Sequence, residues 1–385
     1  MAKVISLFNH KGGVSKTTTT FHLGWMLTKL GQKVLIVDAD SQCNLTGLVL
    51  GINDYATLFD FYATRGNYDI YNSLAEAFGF PTDLKDASKN GITNPTKTKN
   101  PNMSIIAGHI DFAKFDLQIA TAMTSSQSIP LLKPLLGSIN NLIRKTADIG
   151  DFDVVLVDMS PNISATNMCI FMASDYFIIP TSPDFFCYQS IESLSTVLPD
   201  WSGKLANFKD GITLPKHNPK MLGVISQNYR IYGSNYASDK SDNENMTKEF
   251  REWSNKIKKI TNDRLVPELK KDKIDMIVGE EIFKNAVNYD NPYNLANIQD
   301  FNSLIPTSQR LSKPMFELTK EDGKWQGFTW ERIAENGNKV GARYDIEKVH
   351  DVYLKLATSV ANMIGLKIAD KSIFDSLINK ASKPV

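Results

Sequence analysis

Lys11-Gly12-Gly13-Val14-Ser15-Lys16-Thr17-Thr18 decides how this chain is read. It follows Val4-Ile5-Ser6-Leu7-Phe8, an apolar run with the length of a buried parallel strand. After it, Phe21, Leu23, Gly24, Met26, Leu27 and Leu30 give a helical apolar face, and Gly31 sits where a helix would stop. Lys33-Val34-Leu35-Ile36-Val37-Asp38 is a second buried strand. Strand, glycine loop, helix and strand in this order predict a right-handed βαβ unit. If the loop curls, the N–H groups of Gly12, Gly13, Val14, Ser15, Lys16 and Thr17 converge on one anion. The two glycines let the backbone come close to it. The positive end of the following helix points at the same place. Lys16 supplies a point charge for β and γ phosphates, and Thr17 a hydroxyl for Mg²⁺.

Outward from the loop the alternation continues. Residues 103–108, 153–158, 176–180 and 221–226 read as strands, residues 131–143 and 167–172 as helices. The fold class expected is α/β, a doubly wound, mostly parallel sheet with helices on both faces. Residues 82–102, 202–219 and 229–247 are rich in polar and turn-forming residues and read as surface insertions. Residues 1–318 are expected to form the main domain. Residues 319–385 form a C-terminal extension, with an irregular excursion or hairpin near 319–345 and an amphipathic helix at 349–364.

Composition narrows the class. The chain has 385 residues, 42% hydrophobic and 22% charged, enough to bury a core and too apolar for a disordered chain. Net charge is +1, so a surface that grips a polyanion must be local. Cys43, Cys169 and Cys187 are too few and too scattered for a disulfide framework or a zinc site with close ligand pairs. No apolar run has membrane-span length. A soluble, cytoplasmic protein is expected, nucleoid-associated when nucleotide-bound if the resemblance below holds.

The loop does not fit G-x-x-x-x-G-K-[ST], because His10 and Ser15 occupy the outer glycine positions; it fits K-G-G-x-x-K-T-[ST]. In this it resembles the deviant Walker A motif of the ParA/MinD group of P-loop ATPases, whose mark is a second lysine, here Lys11. The resemblance implies ATP and Mg²⁺ as cofactors and an ATP-sandwich homodimer in which Lys11 reaches the partner's nucleotide. A cation supplied in trans in this way is comparable to an arginine finger, worth roughly 10³–10⁵ in rate. Ser15 replaces the usual glycine, and a side chain there is expected to require a negative φ.

Asp38-Ala39-Asp40-Ser41-Gln42-Cys43-Asn44 resembles that family's switch I, and Asp153-Val154-Val155-Leu156-Val157-Asp158-Met159-Ser160-Pro161 its Walker B strand and switch II. Ser41 and Ser160 replace usual prolines. By this resemblance Asp40 orients the attacking water, Asp158 and Thr17 hold Mg²⁺, and Asp38 is an acid near the metal. Lys11, Lys16 and Asp40 are then the catalytic set. Lys11 through Thr18 are the nucleotide loop. Asn167 matches a recurrent asparagine, Asn228 is a candidate for adenine or ribose contact, with a plain turn asparagine the alternative, and Pro306 would lie by the adenine.

ParA proteins bind DNA non-specifically, whereas MinD proteins bind membrane through a C-terminal helix. Residues 248–273 hold nine basic residues against five acids. They are Lys248, Arg251, Lys256, Lys258, Lys259, Arg264, Lys270, Lys271 and Lys273. This is either a salt-dependent phosphate grip or a solvated helix face. Arg310, Lys313 and Lys355 are further candidates. Ile373, Phe374, Leu377 and Ile378 form a short apolar stripe near Lys371, Lys380 and Lys383, better read as a docked helix than a membrane anchor. The glycine loop lies within the opening residues with no recognisable DNA-reading domain before it, so operator-specific repression is not expected. The expectation is a partition ATPase that acts on plasmid or chromosomal DNA with a ParB-like partner. The alternative is a MinD-like or cargo-positioning ATPase on membrane or nucleoid. A nitrogenase iron-protein-like reductase would need cluster cysteines after switch II, and Cys169 and Cys187 are not so placed; an amide-forming synthetase is the other metabolic reading.

Overall fold

In the computed structural model the placement of residues 53, 66–68, 80–92, 207, 209–213, 230–245, 288–291, 302–303, 324–329, 334–338 and 369–385 is left undescribed; all others are described. The apolar stripe at 373–378 and its lysines therefore lie outside the described residues, as do 82–92, 207, 209–213 and 230–245 of the three expected insertions.

The apolar runs become the core of one sheet. β1 (Lys3–Leu7), β2 (Val34–Ala39), β4 (Met103–Ile106), β5 (Val154–Met159), β6 (Tyr176–Thr181), β7 (Lys220–Tyr229) and β8 (Asn294–Gln299) are joined by a short β3 (Thr96–Lys97). The order is β3-β4-β2-β5-β1-β6-β7-β8, and each pairing is parallel except β3 with β4. β2 and β5 are buried at every position, as continuous aliphatic runs in a parallel sheet should be. β1 sits between β5 and β6, so the chain departs from it to both sides. In open α/β sheets the crevice at such a point, beyond the carboxyl ends of the strands, is where ligands bind.

Helices cover both faces. α1 (Lys16–Lys29) lies on β2 and β5, and Gly24 permits this. A Cβ at Gly24 would stand 3.2 Å from Ile36 Cγ2 and 3.5 Å from Leu156 Cδ1. α2 is Asn44–Leu50, α3 Phe115–Ser125, α4 Leu135–Ile149, α5 Ala165–Ala173 and α6 Phe185–Ala206. The last four pack on one another as a layer. α7 (Lys248–Ile260) rests on α6, and α8 is Ile305–Leu311. A two-stranded hairpin, β9 (Arg332–Ile333) and β10 (Lys339–Val340), leads into α9 (Ala342–Ile364), which packs on α1 and β8.

His22 shows how the C-terminal helix is tied to the glycine-loop helix. It is fully buried, its Nδ1 bonds Thr18 O at 2.8 Å, and its Nε2 accepts from Met315 N at 2.9 Å. Its ring stacks on Tyr353 of α9 at 5.0 Å. Burial pushes its pKa down to about 4, so the ring is neutral and Nδ1 carries the proton that Thr18 O accepts.

Several expectations shift. The helix read from residue 131 is instead a 3₁₀ turn at Pro130–Leu132 followed by α4. Residues 202–206 belong to α6 rather than to a loop, because Ser202 and Leu205 bury against the core. Residues 96–97 form edge strand β3, and Tyr229 closes β7. β8 is absent from the sequence reading; its Asn294, Asn297 and Gln299 interrupt the aliphatic run that marks the other strands. Among the described residues no helix is long and apolar enough to cross a membrane.

Candidate nucleotide site

The loop after β1 closes over the carboxyl ends of β5, β1 and β6. Asn9 anchors its start: Nδ2 donates to Pro180 O at 2.8 Å, and Oδ1 accepts from Lys11 N at 2.9 Å and from the Ser190 hydroxyl. Lys16 is buried, with Nζ donating to Asn9 O (3.0 Å) and Lys11 O (3.2 Å). Burial lowers its pKa, against the opposing pull of Asp158 and Asp40. A cation held inside its own loop by carbonyls alone is poised to exchange them for an anion.

Ser15 overturns the expectation of a negative φ. It stands at φ 57, ψ 31, in the left-handed region, at a cost of about 1–3 kcal/mol for a residue with a Cβ. Its Oγ donates to Asn228 Oδ1 at 3.0 Å, and Asn228 is itself at φ 57. Here the hydrogen bond that accompanies the left-handed conformation of both residues joins positions far apart in the chain. Gly13, at φ 74, has open space where a Cβ would be.

The acids meet on adjacent strands. Asp38 and Asp158 are register partners of β2 and β5. Asp158 Oδ2 accepts from Thr17 Oγ1 at 2.7 Å, while its buried Oδ1 has no hydrogen-bond partner. Burial, then the charge of Asp38, pushes the Asp158 pKa up to about 8. Asp38 is raised to about 6 by burial, and both its oxygens are engaged. Oδ2 accepts from Thr46 N (2.8 Å) and Oγ1 (2.6 Å), and Oδ1 from Asp40 N (3.3 Å). Asp38 thus shapes the segment that carries Asp40, and Asp158 keeps the oxygen that can still take a ligand. Asp40 is 9% exposed, its Oδ1 accepting from Gln42 N at 3.0 Å.

Mg²⁺ fits this arrangement. Among the described residues no three acidic, His or Cys side chains form a metal cage. Mg²⁺ is commonly held by few protein groups and completed by phosphate oxygens and water. The Thr17 hydroxyl and the unpartnered Asp158 oxygen are such groups. Beside them a groove of about 630 Å³ runs past Thr17, Thr18, Gln42, Asn44 and Gln309.

At the rim, Lys11 Nζ pairs with Asp184 Oδ2 of its own chain at 3.1 Å and lies 5.7 Å from the Phe186 ring centre. Both partners retain solvent exposure, 25% and 38%. Asn167 caps the switch II turn, donating to Ser160 O (2.9 Å) and Asn162 O (2.8 Å). Pro306 is exposed in the first turn of α8. The sequence reading passed over Asn9, Thr46, Asp184 and Gln227. Asn9, Asp184 and Gln227 act through contacts far along the chain, and Thr46 through Asp38, eight positions away.

The basic stretch is divided. Lys256 stacks over Trp253 at 4.2 Å, and Lys256, Lys259 and Arg264 line a groove of about 570 Å³ with Phe185, Tyr188 and Trp253. Lys271 pairs with Glu268 and Lys270 with Glu280. Lys313 is bound to Asp322 at 2.8 Å, and Arg310 donates to Asp322 O at 2.8 Å, so these two are tied to the 320–322 turn. Lys355 is exposed on α9.

A phosphate loop at the switch point of a parallel sheet, beside register-paired acids on β2 and β5, defines a P-loop nucleotide-binding protein. The AAA_31 family, an AAA domain, matches residues 2–207, and the chain belongs to it. Its family and relatives are those of the ParA/MinD type of P-loop ATPases. The chromosome partitioning protein ParA of Caulobacter vibrioides is 28% identical over 53% of this chain and 64% of its own length. An uncharacterized protein of Mycobacterium tuberculosis, Rv1708, is 27% identical over 57% of this chain and 60% of its own length. The match thus spans less than two thirds of these relatives. The solved structure of pNOB8 ParA bound to nonspecific DNA has the same fold, with a TM-score of 0.51 and 18% identity over 95% of this chain and 99% of that one.

Proposed function

We propose that the chain hydrolyses ATP with Mg²⁺, forms an ATP-dependent homodimer, and as a dimer holds DNA non-specifically to partition plasmid or chromosomal DNA with a ParB-like partner. The observation that carries this reading is the second lysine. Lys16 lies in the floor of the loop, while Lys11 lies at the rim in a part-exposed pair with Asp184. Such a pair contributes about 0–1 kcal/mol. A hydrogen bond to a charged group away from water contributes about 1.5–3 kcal/mol. A γ-phosphate presented by a second copy therefore outbids Asp184.

In this mechanism Lys16 and the loop N–H groups neutralise the β and γ phosphates. Bound Mg²⁺ would draw charge from the phosphate oxygens, with Thr17 and Asp158 as its protein partners. Asp40 orients the attacking water, Asp38 fixes the segment that carries Asp40, and Lys11 completes the partner's site. Turnover by the isolated chain is slow until the DNA-bound partner stimulates it. Lys256, Lys259 and Arg264 are the candidate DNA contacts, and a dimer doubles them. The relative named as a chromosome partitioning protein, and the DNA-bound ParA of like fold, agree with this reading.

The test is a DNA titration with ATP, ADP and no nucleotide at two salt concentrations. Binding that requires ATP and weakens steeply with salt is expected. Binding indifferent to nucleotide, or none, would refute the DNA role.

A further inference from the structure

The end of β7 sets two consecutive amide side chains against the phosphate loop. Gln227, buried, donates from Nε2 to Val14 O (3.3 Å) and to Thr19 Oγ1 (2.8 Å). Asn228 donates from Nδ2 towards Gly13 O (3.4 Å) and Ser182 Oγ (3.4 Å), and its Oδ1 accepts the Ser15 hydroxyl at 3.0 Å. A trans peptide points its C=O and N–H in opposite directions within one plane. Holding the Gly13 carbonyl towards Asn228 therefore turns the Val14 N–H away from β7. Holding the Val14 carbonyl towards Gln227 does the same for the Ser15 N–H. These are two of the donors that the loop offers an anion.

Ser15 adds a feature of its own. Its left-handed backbone would be free for glycine and is strained for serine. The hydroxyl that comes with the strain is also the group that bonds Asn228.

We propose that Gln227 and Asn228 are positioning residues that set the shape of the phosphate loop, and that the Ser15 hydroxyl is the latch that keeps a non-glycine residue in this conformation. This rests on the reading of the loop as an ATP site. It gives Asn228 a task other than touching adenine or ribose, since both polar atoms of its side chain face the loop and the neighbouring Ser182.

The test uses the full chain with Mg²⁺, titrated with ATP and assayed for KM and kcat. Ser15→Ala keeps the Cβ and its strain but loses the hydroxyl; Ser15→Gly loses both. Ser15→Ala should weaken ATP binding roughly three- to tenfold, and Ser15→Gly should bind ATP more tightly than Ser15→Ala. Asn228→Gly tolerates φ 57 and should weaken binding by a similar factor in the wild-type chain. In the Ser15→Gly chain it should cost less than about twofold. KM should rise with kcat little changed. An equal loss from Asn228→Gly in both backgrounds would mean that Asn228 acts without the Ser15 hydroxyl and would overturn the latch, as would wild-type affinity in Ser15→Ala. A wild-type chain that binds no ATP would instead overturn the reading of the loop itself, in a sample without substitutions.

Discussion

The floor and the rim of the site are built differently. In the floor, Lys16, Thr17, Asp38 and Asp158 sit on strand ends or the first turn of α1, all buried except the half-buried Thr17, and each is bonded to a neighbouring group of the site. At the rim, Lys11 has one part-exposed acid and lies over the Phe186 ring, with Phe185 and Phe186 exposed. A buried charge deprived of its partners is costly, so the floor is preorganised for one ligand. A screened pair at the surface exchanges partners at little cost, so the rim can respond to a second molecule. The floor should therefore govern nucleotide affinity, and the rim should govern assembly and turnover.

The sharpest break would come from Asp40, the acid proposed to orient the attacking water. Asp40→Ala should leave ATP affinity within about threefold and lower hydrolysis about a hundredfold or more. Single-turnover measurements check this, and a variant that hydrolyses at the wild-type rate would move the water-orienting role elsewhere. Lys16→Ala should weaken ATP binding roughly ten- to a hundredfold by equilibrium titration. A loss as large from Lys11→Ala would erase the distinction between floor and rim.

A smaller effect tests the buried acid. With its pKa pushed up to about 8, Asp158 keeps a proton in the folded chain that the unfolded chain has already released. The folded state then binds more protons, so stability falls as pH rises from the ordinary carboxyl range, and the loss is complete a little above 8. Asp38, at about 6, and His22, at about 4, have essentially finished titrating by pH 7. Between pH 7 and 8.5 the nucleotide-free wild type should therefore lose thermal stability relative to Asp158→Asn. Parallel melting curves would contradict the assignment. Mg²⁺ with nucleotide should lessen the slope in the wild type, because binding favours the ionised carboxylate.

Much of the floor was legible in the sequence because each of its residues carries a mark in its immediate sequence neighbourhood. Lys16 and Thr17 follow the glycines, and Asp38 and Asp158 end aliphatic runs, which a buried parallel strand requires. Three kinds of feature were hidden. Asp184 reaches Lys11 across 173 positions, and no local pattern announces such a pair. Gly108 reads as the end of a strand, yet a Cβ there would lie 2.9 Å from the Asp38 carboxylate, a constraint visible only with both in place. β8 escaped because asparagines replace aliphatic residues along it, and β7 alone supplies its partner. Ser15 was misjudged for a different reason. Intrinsic backbone preference argued for a negative φ, and a hydrogen bond from 213 positions away overrode it.

The central claim is that Lys11 acts on the nucleotide of another copy, and mixing two inactive variants tests it most directly. Lys11→Ala keeps a loop able to hold ATP, and Lys16→Ala keeps the rim lysine. Each should be inactive alone. Mixed in equal amounts with ATP and Mg²⁺, they should recover about a quarter of wild-type hydrolysis, since random pairing makes half of the dimers mixed, each with one complete site. A mixture as inactive as its components would contradict the account, as would a Lys11→Ala chain that hydrolyses ATP normally on its own.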